Sequence, residues 1–466
     1  MHADVDGVLA RVRAQECESL DRLFEFLRIP SISADPAYTD DVARAAQWAC
    51  AQLRQIGFNA CVMPTKGHPM VVARSDGPAG YEGPRFLYYG HYDVQPADPL
   101  ELWDSPPFEP VIVDGPRGKR IVARGAVDDK GQVVAILEAM RAWVKVHGTL
   151  PCAATVILEG EEECGSEHLE PFLRENTELL RADACVVSDT GMWDVETPAI
   201  TTSLRGLVYQ EVTVRGPDKD LHSGLYGGAV PNPVNVLASI IAQLHDANRR
   251  VTLRGFYDDV VETSPRVLEQ WRTMGFSETE FLAGAGMKEG FGEAGRSAVE
   301  RTWSRPTCDA NGFFGGYTGK GAKTVIGSFA TAKVSFRLVA KQDPMKVVAA
   351  FQQFVLERLP PGCRAEFQSF GTNPAVQVAA ESPFLGAAER ALEKTYGRKA
   401  VLIGSGGSIP AVGAIQRIIG APALLVGFGL DDDCVHSPNE KFELACFHGA
   451  MRSHAAMLAE FGRMRV

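Results

Sequence analysis

The feature that most constrains the fold of this chain is an apolar run, residues 153–158, that leads directly into an acidic cluster. A nearly unbroken apolar run of this length is typical of a strand in a parallel sheet that is covered on both faces. A second apolar run, residues 86–89, leads into His91 and Asp93. Because parallel strands present their carboxyl ends at one edge of a sheet, the acids and the imidazole are predicted to lie together there.

Length and charge narrow the class of protein. A chain of 466 residues that is 45% hydrophobic and 23% charged is typical of a globular protein with two or three domains. Its net charge of -11, without a cluster of lysine and arginine, argues against a nucleic-acid partner and favours a small substrate. Residues 1–6 are acidic, unlike a secretory leader, and no apolar run approaches the length of a membrane span. With ten scattered cysteines and no C-x-x-C pair, we expect a cytoplasmic protein that binds no membrane.

The hydrophobic periodicity predicts an α/β fold that is interrupted by a region of different texture. Apolar residues recur at helical spacing over residues 8–27, 42–56 and 131–146, and in the last of these they form one broad face. Between about residues 204 and 374 the predicted strands alternate apolar and polar residues, as sheets with one solvated face do.

We therefore predict two domains. The first is a discontinuous α/β catalytic domain, residues 1–204 and 376–466, built on a mostly parallel sheet. The second is an inserted α+β sandwich, residues 205–375. The glycine-rich tracts 284–295 and 312–321 are predicted to be loops of this insert.

Polar side chains follow four of the predicted buried strands. In chain order they are His91 with Asp93, Glu162 with Glu163, Asp189, and His436. Asp128 and Asp129 open the helix predicted after them; for Asp129 a ligand role and a role that only complements the helix dipole are both open. A run of acids is commonly solvated surface, but here it ends a buried strand. Two histidines and several carboxylates, without a thiolate, suit Zn²⁺ or Mn²⁺ and outnumber the ligands that one ion needs.

These residues stand within a set of short motifs that covers nearly the whole chain. The motifs are Gly90-His-Tyr-Asp-Val-Gln-Pro96, Arg124-Gly-Ala-Val-Asp-Asp-Lys-Gly131, Glu159-Gly-Glu-Glu-Glu163 with Gly165-Ser166, Ser188-Asp189, Lys219-Asp-Leu-His-Ser-Gly224, Gly406-Gly-Ser-Ile-Pro410 and His436-Ser-Pro-Asn-Glu440. Taken together they resemble the dinuclear zinc peptidases that include cytosolic nonspecific dipeptidase, carnosinase, aminoacylase and succinyl-diaminopimelate desuccinylase. The resemblance is strongest to the dipeptidase branch.

The resemblance implies two Zn²⁺ ions per chain, or Mn²⁺ in their place. The implied ligand sets are His91, Asp128 and Asp189 for one ion, and Asp128, Glu163 and His436 for the other. Asp128 would therefore bridge the two ions, and the peptide bond between Asp128 and Asp129 is expected to be cis. Three ligating carboxylates leave the two ions with a net positive charge, which suits the activation of water.

The resemblance also implies the catalytic groups. A metal-bridged hydroxide would attack the peptide carbonyl, with Glu162 as general base rather than a solvated surface acid. Asp93 lies two residues after His91, on the same side of an extended segment, and would orient that ring. The inserted domain would act as a lid and dimerisation domain. His222, which alone would pass for a surface histidine, would reach from this domain across a homodimer and stabilise the oxyanion in the partner's site.

The remaining residues implied by the resemblance would bind the substrate. Arg337 lies on the polar face of an alternating strand, where it is either a solvated surface residue or a clamp for the substrate carboxylate. Gly407 and Ser408 would contact the same end of the substrate, and Asn311 and Thr324 lie in segments similar to substrate-contacting loops. The implied reaction is hydrolysis of dipeptides or short peptides that carry a free carboxylate. Deacylation of N-acyl amino acids needs the same site and stays open as the alternative.

Three further features lie near the predicted ligands. Cys164 and Cys434 adjoin Glu163 and His436, but oxygen and nitrogen groups already complete both ligand sets. The run Asp431 to Asp433 adds negative charge close to His436, and we expect it to disfavour acidic substrates.

Overall fold

The computed structural model describes residues 4–378, 381–407 and 409–465, and contacts within the chain divide it into two compact units. The first unit comprises Met1–Thr202, Val378–Ile403 and Pro410–Val466, and the second comprises Ser203–Gln377 and Gly404–Ile409. The domain boundaries drawn from the sequence, after residue 204 and before residue 376, and the lid and catalytic roles attached to them remain predictions.

Helices flank the sheets of both units. Those of the first unit are α1 (Val5–Ala14), α2 (Glu16–Leu27), α3 (Thr39–Ile56), α4 (Lys130–His147), α5 (Leu169–Glu175), α6 (Thr177–Leu180), α13 (Pro383–Tyr396), α14 (Pro410–Ile419) and α15 (Leu444–Gly462). Those of the second unit are α7 (Ser223–Tyr226), α8 (Pro233–Ala242), α9 (Pro265–Thr273), α10 (Glu278–Gly284), α11 (Ala298–Trp303) and α12 (Pro344–Leu356). Within the described residues, none of the helices combines the length and the apolarity needed to cross a bilayer.

The strands fall into a large sheet, a smaller antiparallel sheet and two short ribbons. In chain order they are β1 (Asn59–Met63), β2 (Met70–Ser75), β3 (Arg85–His91), β4 (Val111–Gly115), β5 (Gly118–Val122), β6 (Ala153–Glu159), β7 (Ala184–Val187), β8 (Ala199–Leu204), β9 (Gly206–Arg215), β10 (Leu221–His222), β11 (Thr307–Gly315), β12 (Val325–Ile326), β13 (Phe329–Leu338), β14 (Arg364–Asn373), β15 (Val376–Gln377), β16 (Val401–Ser405), β17 (Ala423–Leu425) and β18 (Lys441–Glu443).

Four parallel strands form the centre of the first unit, which confirms the predicted α/β class. The sheet has the spatial order β1-β2-β6-β3-β7-β17-β8, and the pairs β6–β3, β3–β7 and β7–β17 are parallel. Every residue of β6 and β7 is buried, as an unbroken apolar run in a doubly covered sheet predicts. The register sets His91 opposite Glu159, so the histidine and the acidic segment leave the sheet at the same edge.

The helix α4 is buried beyond the broad apolar face that its sequence predicts. All of its residues from Lys130 to Trp143 are buried. The reason is that α4 packs against β3 on one side and against α1, α2, α3 and α15 on the others. No side of its first four turns meets water, so polar residues such as Glu138 and Arg141 are buried beside the apolar ones.

The predicted helix at residues 8–27 is two helices in the structure, α1 and α2, because the helical backbone is interrupted at Gln15. The backbone there has φ of -105° and ψ of 11°, outside the helical range. The buried Gln15 amide donates to the carbonyl of Glu138 at 3.0 Å. Apolar residues keep the helical period across the break, so periodicity alone could not show it.

The second unit contains the four-stranded antiparallel sheet β11-β13-β9-β14, with α8 and α12 packed on one face. Burial alternates residue by residue along β9, as its sequence pattern predicts. One prediction is wrong, because Gly312 and Gly315 lie in β11 and not in a loop. A bulge between Ala310 and Gly312 shifts the register there, and glycine is common at such irregularities.

Candidate metal centre and active site

The predicted ligands of the first unit lie at or beyond the carboxyl ends of the four parallel strands. His91 is the last residue of β3, and Asp189 lies two residues beyond β7. Glu163 lies in the 3₁₀ turn Glu162–Cys164 after β6, and His436 lies in the loop that follows β17. The shared direction of the four strands gathers these segments at one edge of the sheet.

The structure brings five side chains into two groups that share Asp128. The groups are His91, Asp128 and Asp189, and Asp128, Glu163 and His436; within each group the candidate ligand atoms all lie within 4.8 Å of one another. Asp128 directs Oδ1 to His91 Nε2 at 3.0 Å and Oδ2 to His436 Nε2 at 3.0 Å. Two ligand atoms on one tetrahedral Zn²⁺ lie about 3.3 Å apart, so the spacing fits a metal pair bridged by this carboxylate.

The two groups bring several buried carboxylates close together, and bound cations would stabilise their charges. Burial, together with the charge of Asp128, raises the pKa of Asp189 to about 7. Burial raises the pKa of Asp129 as well, and its Oδ1 is buried without a partner in the described part of the chain. In Asp128 burial opposes ionisation, but hydrogen bonds to His436 and His91 lower its pKa. Crowded, buried carboxylates that lack enough cationic side chains form a chemically suitable site for divalent metal.

Asp93 connects the two ligand groups. The Nδ1 atom of His91 lies 3.1 Å from the Asp93 carbonyl oxygen and 3.4 Å from Asp93 Oδ1, which leaves Nε2 directed toward Asp128. The other carboxylate oxygen of Asp93 accepts from the backbone N–H of Glu163 at 3.0 Å. This geometry suits the orienting role that the resemblance implies, since a partner on one ring nitrogen sets what the other can bind.

Gln95 is a neighbour of the ligands that the sequence analysis missed. Its Nε2 donates to Glu163 Oε2 at 2.8 Å and thereby orients that carboxylate toward His436. The signal was available, because His91, Asp93 and Gln95 are spaced by two and so point to the same side of an extended segment.

Glu440 was also missed, although it closes the motif that begins at His436. This fully buried carboxylate accepts from Arg124 Nη1 at 2.8 Å and from the N–H of Gly125 at 2.9 Å. Its other oxygen accepts from the N–H of Val127 at 3.0 Å and of Asp128 at 3.1 Å. Glu440 therefore connects the loop that carries His436 to the backbone at Asp128, the ligand that both groups share.

The peptide bond between Asp128 and Asp129 is cis, as the resemblance predicts. Asp129 precedes α4 as its N-cap, but its side chain makes no capping hydrogen bond. Its Oδ2 instead accepts from the backbone N–H of His91 at 3.2 Å. Asp129 thus supports the strand end that carries a candidate ligand.

Glu162 differs from the acids around it because its side chain has no hydrogen bond or ion pair among the described residues. It is partly buried, which disagrees with a freely solvated surface acid. Burial raises its pKa to about 8; the neighbouring His91 opposes the rise, while Asp189 and Glu163 add to it. Bound cations would lower this pKa, so an unpaired carboxylate at this position can accept a proton near neutral pH.

Two of the predicted second-unit residues lie side by side. His222 pairs with Val325 in the ribbon of β10 and β12, and the N–H of Ser223 donates to the carbonyl of Thr324 at 3.0 Å. Both His222 and Thr324 are exposed. The His222 Nδ1 accepts from the N–H of Gly224 at 3.0 Å, so the ring proton lies on Nε2, where it can be donated outward.

The other substrate-binding candidates are more dispersed within the second unit. Arg337 is half-buried on β13, and no carboxylate pairs with it in the residues that the structure describes. Gly407 is exposed, and its carbonyl accepts from the N–H of Arg205. Asn311 is exposed at the β11 bulge. Ser408 lies outside the described residues.

The acidic run before His436 is less negative than its sequence indicates. Asp433 is buried and binds Lys441, while Asp432 pairs with Arg117 at 2.8 Å and with Lys441 at 3.3 Å. Two of the three charges are therefore balanced, which removes most of the basis for the expected exclusion of acidic substrates. Cys434 is exposed with φ of 55°, in a loop where His436 has φ of 61°, both in the left-handed region that non-glycine residues rarely occupy.

The chain is similar in sequence and fold to proteins of known activity. Residues 87–460 match the sequence profile of peptidase family M20/M25/M40. The chain is 28% identical to the Cys-Gly metallodipeptidase DUG1 of Saccharomyces cerevisiae over 98% of both proteins, and 30% identical to the cysteinylglycine-S-conjugate dipeptidase of Corynebacterium striatum over 82% of both. Among solved structures, the M20 family metallo-carboxypeptidase Sso-CP2 of Sulfolobus solfataricus aligns with a TM-score of 0.83 at 33% identity, covering 96% of this chain and 99% of that one.

Proposed function

Because this chain belongs to peptidase family M20/M25/M40, we propose that it is a metal-dependent hydrolase that cleaves the peptide bond of dipeptides or short peptides. One observation carries the proposal: two candidate ligand groups share Asp128, and an unpaired Glu162 stands next to Glu163. The relatives with the names of dipeptidases support dipeptides as the substrate class. They give no comparable support to deacylation of N-acyl amino acids, which remains the alternative.

We propose two Zn²⁺ ions per chain, with Mn²⁺ as the alternative metal. One would be held by His91, Asp128 and Asp189, and the other by Asp128, Glu163 and His436. Metal bound there would supply Lewis-acid chemistry, by lowering the pKa of a water molecule and polarising the substrate carbonyl. The imidazole and carboxylate donor set, with no thiolate in either group, is the support for these metals.

The protein's own groups would move the protons and stabilise the charge. Glu162 would take a proton from the attacking water and pass it to the departing amine nitrogen. Asp93 would keep His91 in the tautomer that presents Nε2 to its group. His222 is exposed and accepts from Gly224 at Nδ1, which leaves Nε2–H as its donor. We propose that this N–H donates a hydrogen bond to the oxyanion in the partner subunit of a homodimer.

Recognition of the substrate carboxylate is assigned to Arg337, which has a planar donor fork and no carboxylate partner of its own in the described chain. Gly407 would add a backbone contact, Ser408 a hydroxyl, and Asn311 and Thr324 further polar contacts. Dipeptides and carboxypeptidase substrates both carry a free carboxylate one residue from the cleaved bond, so a single clamp serves both classes.

The ten cysteines are all unpaired in the described residues, which supports a reducing compartment such as the cytoplasm.

The test compares hydrolysis by the purified, Zn²⁺-loaded protein across a dipeptide panel and a panel of N-acetyl amino acids. Preference for dipeptides is expected. The variant Glu162→Gln keeps the size of the side chain but cannot act as a base, so it should retain about two metal ions per chain and lose turnover by at least about 10²-fold. Full turnover in this variant would remove Glu162 from the mechanism, and preference for N-acetyl amino acids would replace the dipeptidase proposal by its alternative.

A further inference from the structure

A cavity in the second unit is lined by four arginines, although the chain as a whole is acidic. It has a volume of about 320 Å³, within the size range of small-ligand pockets, and lies beside β11. Its charged lining consists of Arg205, Arg249, Arg301, Arg305, Glu293 and Asp309. Four guanidinium groups against two carboxylates leave a lining charge of +2, whereas the whole chain has a net charge of -11.

Two of these arginines form the wall of the cavity and are already paired. Arg305 binds Glu293 through two hydrogen bonds of 2.8 and 2.9 Å, and both side chains are buried. Arg301 donates to the carbonyl of Glu293 at 3.2 Å and lies 3.6 Å from Glu278. Because their charges are balanced within the protein, these two arginines shape the cavity. The arginines that can bind a ligand are the other two, Arg205 and Arg249.

Arg249 is an unpaired cation at this cavity. Its guanidinium lies 4.1 Å from the ring centroid of Phe291, and no carboxylate pairs with it in the residues described. Its backbone has φ of 61°, in the left-handed region, within the turn after α8. His245, which also lines the cavity, adds no charge at neutral pH, because burial lowers its pKa.

Arg205 is the second unpaired cation. Its side chain donates only to neutral groups, the carbonyl of Gly406 at 3.3 Å and more weakly the carbonyl of Arg301 and the hydroxyl of Thr307 at 3.5 Å. Burial and the nearby charge of Arg337 lower its pKa to about 10, so the group still carries its charge at neutral pH. A charged guanidinium that is half-buried among neutral acceptors is stabilised by any anion that enters the cavity.

We propose that this cavity binds a small organic oxyanion, a dicarboxylate or a phosphate monoester, with Arg205 and Arg249 as its cationic contacts. The planar donor forks of the two arginines match the oxygens of either group. Phe291 and Val251 provide apolar surface for the carbon skeleton. This site shares no residue with the candidate metal groups, and the proposal does not depend on the proposed hydrolysis.

Isothermal titration of the full-length protein tests the proposal with two probes, succinate and inorganic phosphate, at an ionic strength held constant with sodium chloride. Saturable binding of one ion per chain is expected for at least one probe. The variant Arg249→Gln should weaken that binding about tenfold, since it removes one charge-assisted contact. The residue is exposed, so the substitution is not expected to disturb folding.

The matched control is Arg272→Gln, which removes the same charge from an exposed arginine on α9 that pairs with Glu269 at 3.3 Å. It should bind the probe as the unmodified protein does. Absence of saturable binding by both probes, or equal affinity of the Arg249 and Arg272 variants, would overturn the proposal. Binding should persist in Glu162→Gln protein, so a failure of the hydrolase proposal and a failure of the anion site are separately visible.

Discussion

Replacement of Glu440 by glutamine is predicted to loosen the metal centre from outside its ligand set. The carboxylate accepts from four donors, two on each oxygen, and all of them are buried or in the backbone beside Asp128. Glutamine keeps one acceptor oxygen and presents an NH₂ group to the other two donors. It also leaves Arg124, which is 1% exposed, without a counter-charge.

The size of the effect follows from the cost of breaking a buried ion pair, about 3–5 kcal/mol in the free energy of unfolding. Domains of ordinary stability have a free energy of unfolding of about 5–15 kcal/mol. The variant should therefore still fold, but with a lower melting temperature. The freed N–H of Asp128 no longer holds the shared carboxylate in place, so metal affinity should fall by about 10- to 100-fold. Urea unfolding measures the first effect, and competition with a chelator of known affinity measures the second.

Glu138→Gln is the matched control, because Glu138 is another buried acid of the first unit. It accepts from Arg22 at 2.7 and 2.6 Å, from Arg141 at 3.0 Å and from Ser19 at 3.0 Å. These contacts join α2 to the middle of α4, away from the ligand loops. Its loss should destabilise the protein by a similar amount and leave metal affinity unchanged. If both variants lose metal affinity equally, the specific role of Glu440 is refuted.

Three further predictions concern metal, pH and assembly. Chelation should lower the melting temperature and added Zn²⁺ should restore it, because metal present at about 1,000 times its Kd stabilises the folded state by about 4 kcal/mol; an unchanged melt would contradict the site. Burial lowers the pKa of His454 to about 3, so the unfolded chain binds the extra proton between about pH 6.5 and 3, and stability should fall as pH falls through this window. His454→Phe should reduce that slope by up to about 1.4 kcal/mol per pH unit in urea titrations, and equal slopes would count against it. Mixed dimers of His222→Ala and Glu162→Ala chains should regain part of the activity that each lacks, whereas no recovery would argue against action across a dimer.

The parts of the fold that could be predicted are those set by local hydrophobic pattern. The strands β3 and β6 follow from unbroken apolar runs, and their parallel pairing follows from the helix between them. The gathering of His91 and Asp189 at one edge then follows from strand direction alone. The four-sided burial of α4 and the break at Gln15 could not be predicted, because they depend on which distant helices pack there.

The candidate site was predictable at its ligands and less so at their supports. Metal-ligand side chains belong to a small chemical class, so a histidine or carboxylate after a buried strand stands out. Glu440 is of the same class, yet its partners are mainly backbone N–H groups, which carry no sequence signal. The pairing of Asp432 with Arg117 and of Asp433 with Lys441 likewise cannot be seen until the fold brings the basic side chains to them.

Pairing within the structure is what separates the roles of the four glutamates at the end of β6 and directly after it. The sequence presents Glu159, Glu161, Glu162 and Glu163 within five positions, all chemically equivalent. In the fold the first accepts from a buried tyrosine hydroxyl at 2.7 Å, the second from the N–H of His68 at 2.9 Å, and the last from Gln95 at 2.8 Å. In these three glutamates a protein donor occupies a carboxylate oxygen, which suits a support or a ligand. Only the third is left with its oxygens free of protein donors in the described chain, and a general base needs that freedom to exchange a proton with water.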